Sequence, residues 1–126
     1  MHENEVSGIV LDAAIEVHRT LGGPGLLEGV YEEALAWELQ CRGLPIERQK
    51  LVPVVYKGRR LGSPLRLDLL VDGKVIVECK ATSEYSRIAE VQLLTYLRLT
   101  GLKLGLVVNF GEQLVKRGVH RVVNKL

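Results

Sequence analysis

Cysteine, aromatic residues and long apolar runs are all scarce in this chain of 126 residues. Its only cysteines, Cys41 and Cys79, are far apart and neither belongs to a CxxC pair. Thiolate metal sites and a disulfide framework are therefore unsupported, and a reducing compartment, the cytoplasm, is expected. No stretch of about 18 apolar residues occurs, so no membrane-spanning helix is expected. The first residues, MHENEVSGIVLDAAIEVHRTLGG, are acidic and amphipathic, unlike a secretory leader. There is no GxGxxG, Walker or GxSxG pattern, which removes nucleotide-cofactor and serine-hydrolase readings. His2, His18 and His120 have no zinc-like spacing, and His18 reads as a helix-surface or interface residue.

What is present is an ordinary globular composition, 47% hydrophobic and 25% charged, with a formal charge of +2. The length fits one domain over residues 1–126. Two basic groups stand out, one at Lys57, Arg59, Arg60 and Arg66 and one from Lys116 to Lys125. A solvated surface explains them as readily as a nucleic-acid partner does.

Apolar residues at helical spacing predict a helix over Glu5–Leu21, stopped by Gly22-Gly23-Pro24-Gly25. A second is predicted over Glu28–Arg42, with Val30, Ala34, Trp37 and Cys41 on one stripe, and a third over Ile88–Thr100 with Val91, Leu94 and Leu97. Strands are predicted at Gln49–Tyr56, where Pro53 implies an edge or bulge, and at Leu65–Val71 and Lys74–Ala81. Leu104–Phe110 reads as a strand covered on both faces, and Gly118–Val123 as a last edge strand. Lys57-Gly58-Arg59-Arg60 is read as a turn, and Glu84, Glu90 and Glu112 as solvated charges.

The hairpin LRLDLLVDGKVIVECKA holds Asp68, Glu78 and Lys80 inside its strands, where charge is costly unless paired or ligated. Glu78 and Lys80, two apart, share a face. A two-residue turn at Asp72-Gly73 would aim Asp68 the other way and mix charge into both faces. A three-residue loop, Val71-Asp72-Gly73, sorts them. Leu70 then pairs with Lys74, and Asp68 stands opposite Ile76 and diagonal to Glu78. Leu67, Leu69, Val75, Val77 and Cys79 make a dry face, leaving Arg66, Asp68, Glu78 and Lys80 on the other.

Two carboxylates on adjacent strands suit a hard divalent cation such as Mg²⁺, with the Cys79 carbonyl as a third oxygen. Lys80 beside them would position an attacking water or stabilise a phosphoryl transition state. A surface laced with ion pairs gives the same spacing.

The pattern Asp68…Glu78-Cys79-Lys80 resembles the D…(D/E)xK signature of the PD-(D/E)XK nuclease superfamily, and GLLEGVY, Gly25 to Tyr31, resembles the motif that names its GxxExxY family. The resemblance implies a restriction-endonuclease-like αβββαβ core, here with an extra N-terminal helix and a mixed central sheet flanked by helices. It implies a catalytic and metal role for Glu28, with Tyr31 in support one turn on. Gln92 and Tyr96 are similar to a QxxxY motif that supports the site from the helix after the hairpin, and being four apart they share a helical face. Leu67 stands where the signature has proline, and Arg66 before it is a candidate phosphate contact.

The expected function is a Mg²⁺-dependent nuclease, with Mn²⁺ able to substitute and DNA placed ahead of RNA as substrate. The alternative is an inactive nuclease fold that binds nucleic acid or a protein; a third is a structural oligomer whose polar cluster fixes strand register. With no separate DNA-reading domain and a small core, a homodimer is expected.

Overall fold

The computed structural model describes residues 1–126. Helix α1 spans Glu3–Thr20. It starts where His2 Nδ1 accepts the Asn4 N–H at 2.9 Å, which satisfies one of the orphan amides of the first turn. Val6, Val10, Ala13, Ala14 and Val17 form its buried stripe. Helix α2, Glu28–Cys41, buries Tyr31, Glu32, Leu35, Ala36 and Leu39. The stripe expected to be its inner face points outward: Val30, Trp37 and Cys41 are exposed, Trp37 by 68%. Two apolar stripes compete on this helix, and the Tyr31-Leu35-Leu39 stripe wins because it removes more apolar area from water. No helix is long and apolar enough to cross a membrane.

The main sheet has the order β1-β4-β5-β6-β7, from Ile46–Val52, Leu65–Val71, Val75–Lys80, Leu104–Asn109 and Val119–Val123. Strands β1, β4 and β5 form an antiparallel run, and β7 lies antiparallel on β6. Strand β6 joins β5 in parallel after the crossover helix α3, Ile88–Thr100. This is the mixed α/β architecture expected, restriction-endonuclease-like in its order. The strand predicted over Gln49–Tyr56 is instead two pieces. Strand β1 begins earlier and stops at Val52, because Pro53 cannot continue a ladder. A separate hairpin, β2 (Val55–Tyr56) and β3 (Arg59–Arg60), follows, so only Lys57-Gly58 is the turn.

Helices α1 and α2 cover one face of the sheet, packing on Leu69, Val71, Val75, Val77, Cys79, Leu104, Leu106 and Val108. Within this core Tyr31 stacks on Phe110 with centroids 4.7 Å apart. His18 is buried here rather than on the surface, its ring Nε2 donating to the Phe110 carbonyl at 3.0 Å. Helix α3 covers the other face through Leu93 and Leu97, against Leu67, Leu70, Ile76 and Val107. Val91, expected on its inner side, is exposed.

Candidate active site

Strands β4 and β5 are joined by a turn in which Asp72 and Gly73 both have positive φ, 53° and 64°, and the Lys74 N–H donates to Val71 O. Val71 then pairs with Val75, Leu70 with Ile76 and Leu69 with Val77. The register is two residues away from the one expected, which had Leu70 opposite Lys74. The shift keeps the face of each β5 side chain, but it carries Asp68 level with Glu78.

There the ladder stops. Asp68 is passed over by β5, whose pairing ends at Leu69↔Val77, and by β1, which resumes at Lys50↔Leu67 after Arg48↔Leu69. Gln49, the β1 residue that would face Asp68, has φ 53° and is unpaired. The alternation of β4 slips at this point. Leu67, expected on the same face as Leu69, packs under α3 while Leu69 packs under α1 and α2. Local irregularity of this kind re-aims a side chain within a strand.

The carboxylates occupy the opening. Glu78 Oε2 accepts the Asp68 N–H at 2.8 Å, and Asp68 Oδ2 accepts the Cys79 N–H at 2.9 Å. Each acid thus replaces a missing rung for the opposite strand. No protein donor reaches Asp68 Oδ1 or Glu78 Oε1, and no buried side-chain oxygen lacks a partner, so both keep some contact with solvent. The amide and carbonyl of one strand residue point to the same side. The Cys79 carbonyl is therefore directed to the same opening as its N–H, although its thiol is buried in the core.

Burial raises Glu78 to about 8, helped by the neighbouring Asp68 charge, and raises Asp68 to about 6, with Glu32 and Glu28 adding repulsion. Lys80 pulls both back down. Two carboxylates that resist ionisation together are a site short of positive charge.

The surrounding residues divide sharply. Lys80 and Gln92 line one cavity of about 430 Å³, together with Thr82, Tyr85 and Ser86. Tyr96, half-buried, has its hydroxyl pKa raised by burial and by the charges of Glu78 and Asp68, which places it near the pair. Arg66 is exposed on β4 two residues from Asp68. Glu28 is exposed at the start of α2, and Tyr31 does not share its setting. Tyr31 is fully buried, its hydroxyl donating to Gly23 O at 2.6 Å and accepting the Leu26 N–H at 3.2 Å. It fastens the glycine-rich loop between α1 and α2. Glu90, read as a solvated charge, is half-buried and accepts the Tyr85 hydroxyl at 3.1 Å.

Two residues carry more than the sequence suggested. Glu32 is the buried acid of α2, held by Arg48 Nε at 2.8 Å and by Gln49 Nε2 at 2.9 Å to both oxygens. Its charge is paired with Arg48, and no three His, Cys, Asp or Glu side chains gather into a metal shell. Asn109, at the end of β6, accepts the Thr82 N–H at 3.0 Å and donates to Thr82 O at 2.9 Å. It also accepts the Gly111 N–H at 3.0 Å. A Cβ on Gly111 would lie 2.3 Å from Thr82 O, so this close approach requires glycine. The clamp fixes the chain two residues past Lys80.

The sequence profile of the PD-(D/E)XK nuclease superfamily matches residues 4–122. The chain belongs to that superfamily. Comparison with curated proteins and with solved structures yields no match. PD-(D/E)XK nucleases act on nucleic acid and typically use divalent metals. The donor set here fits such an ion: two open carboxylate oxygens and a strand carbonyl are hard ligands, and their raised pKa values mark a deficit that a cation would relieve.

Proposed function

We propose that this PD-(D/E)XK chain is a Mg²⁺-dependent phosphodiesterase that cleaves nucleic acid, DNA ahead of RNA, with Mn²⁺ able to replace Mg²⁺; its narrower place is the GxxExxY family. The observation that carries the reading is that Asp68 and Glu78 each accept an amide of the other's strand with one oxygen and leave the second without a protein donor.

Asp68, Glu78 and the Cys79 carbonyl would hold the cation, with exposed Glu28 reaching it only through water. When bound, the ion supplies Lewis acidity and charge neutralisation at a phosphate oxygen. Lys80, a three-donor ammonium beside the pair, orients the attacking water and the phosphate oxygens. Gln92, lining the same cavity as Lys80, offers its amide to a substrate oxygen, and the Tyr96 hydroxyl supports the carboxylates. Arg66 meets a phosphate from the exposed side of β4. The test is cleavage of DNA and RNA panels with Mg²⁺ or Mn²⁺, alongside titration calorimetry. Intact substrates together with no metal uptake would overturn the reading.

One observation favours a second reading. The third nearby acid, Glu32, is engaged by Arg48 and Gln49 and so withheld from a cation. A fold that binds nucleic acid without cutting it would need no more than this, and its binding would survive Asp68→Ala.

The outer stripe of α2, with Trp37 at its centre, supports assembly as a homodimer, since a large exposed aromatic is a common interface anchor. Sedimentation at high micromolar concentration should show a dimer that Trp37→Ala dissociates. The proposed compartment is the cytoplasm, where the exposed thiol of Cys41 stays reduced.

A further inference from the structure

Between β1 and β4 the chain leaves the main sheet and forms the two-stranded arm of β2 and β3. The arm pairs only with itself, Val55↔Arg60 and Tyr56↔Arg59, and every residue from Val55 to Arg60 is exposed. From Leu51 to Leu67 there is no Asp or Glu, but there are Lys57, Arg59, Arg60 and Arg66. None of these four joins an ion pair; the paired cations are Arg19, Arg42, Arg48, Lys50 and His120. The chain holds 17 basic and 15 acidic residues, so setting these four aside leaves 13 against 15, a net −2. A second acid-free basic stretch runs from Lys116 to Lys125, but this is the one that lies on and beside the self-paired arm.

That stretch adjoins the carboxylates. Strands β4 and β5 are antiparallel, so the end where β4 begins, at Leu65, is the end where β5 finishes, at Lys80. The arm projects from this end. Its root at Leu65 is three residues from Asp68, about 10 Å along an extended strand.

We propose that the β2–β3 arm is a phosphate clamp: Lys57, Arg59 and Arg60 grip the backbone of the nucleic acid beside the bond held at Asp68, Glu78 and Lys80. The proposal rests on the nuclease reading of that site and adds the surface that holds the substrate there. A single strand presents one negative charge about every 3.4 Å, and each phosphate neutralised releases counterions. Tyr56, with Lys57 Nζ 5.4 Å from its ring centroid, adds a flat surface against which an unpaired base can stack.

The test is equilibrium binding of a labelled single-stranded DNA to the full chain without divalent metal, across a salt series. It compares the wild type with the triple variant Lys57→Gln, Arg59→Gln, Arg60→Gln. These side chains are exposed and the arm's ladder is main-chain, so the variant should keep its melting temperature. The expected result is a slope of log K against log salt that is shallower by about 2 to 3, with tenfold or greater loss of affinity at low salt. Unchanged slope and affinity, or no binding by the wild type, would overturn the clamp. Cleavage is scored separately with Mg²⁺. Arm-dependent binding without cleavage leaves the clamp standing and removes the nuclease reading; cleavage with an unaltered slope does the reverse.

Discussion

Asp68 and Glu78 each accept the main-chain amide of the other's strand, Glu78 from Asp68 at 2.8 Å and Asp68 from Cys79 at 2.9 Å. This exchange does what a rung of the ladder would do, and uses one oxygen of each acid. The remaining oxygen of each acid has no protein donor. The opening in the sheet and the candidate metal site are one structural event.

Both carboxyls are raised in the folded chain, to about 6 and about 8, above their ordinary values near 4. Protons on these groups therefore favour the fold. Their stabilising contribution is complete below about pH 4 and is lost as pH rises through 6 and 8. In metal-free buffer the melting temperature should fall across that window, and Mg²⁺ or Mn²⁺ should restore it most at the alkaline end. Calorimetry in buffers of different ionisation enthalpy should show protons released as the metal binds.

Asp68→Asn separates charge from geometry. The amide oxygen still accepts the Cys79 N–H, while the repulsion felt by Glu78 disappears. Metal-free stability at pH 8 should rise by about 1 kcal/mol in denaturant titrations, within the ordinary range of single substitutions. Divalent-metal binding should be lost in calorimetry. A destabilised variant that still binds metal would contradict the placement.

Lys80→Ala should reduce any phosphodiester cleavage by about a hundredfold or more, the scale of one removed electrostatic donor. Its melting temperature should change little, because the ammonium is half-buried and in no ion pair. Steady-state kinetics and thermal melts on the same preparation check both halves.

Tyr31→Phe tests whether the motif tyrosine is structural. The ring stack on Phe110 stays and the hydroxyl links to Gly23 and Leu26 go. A loss of about 1 to 2 kcal/mol is expected in chemical denaturation, with cleavage per folded molecule unchanged. Asn109→Ala should cost more, about 2 to 3 kcal/mol, because it strands the Thr82 and Gly111 amides together.

The sequence carried much of this site, for identifiable reasons. Helix α3, β4 and the shared face of Glu78 and Lys80 followed from periodicity, which acts locally, while the turn expected for the hairpin put Asp68 two residues out of its observed register. Leu67 and the hairpin register did not. A left-handed Gln49 and a primed turn followed by an extra residue, Lys74, are adjustments settled by packing across strands. The inner stripe of α2 was misread because apolar residues line two sides of that helix, and the choice between them depends on what lies beneath. Glu32 was missed along with it, lying beside Tyr31 on the buried side. Asn109 carries no signal of its own, since the Thr82 backbone groups it clamps are 27 residues away.

The arm has a consequence for how this protein can diversify. It hydrogen-bonds to itself, and behind it Val52 closes against Leu65. Its length and chemistry can therefore drift by insertion or replacement without displacing either acid. A lineage built on this sheet could change which polymer it holds while inheriting the same pair of acids.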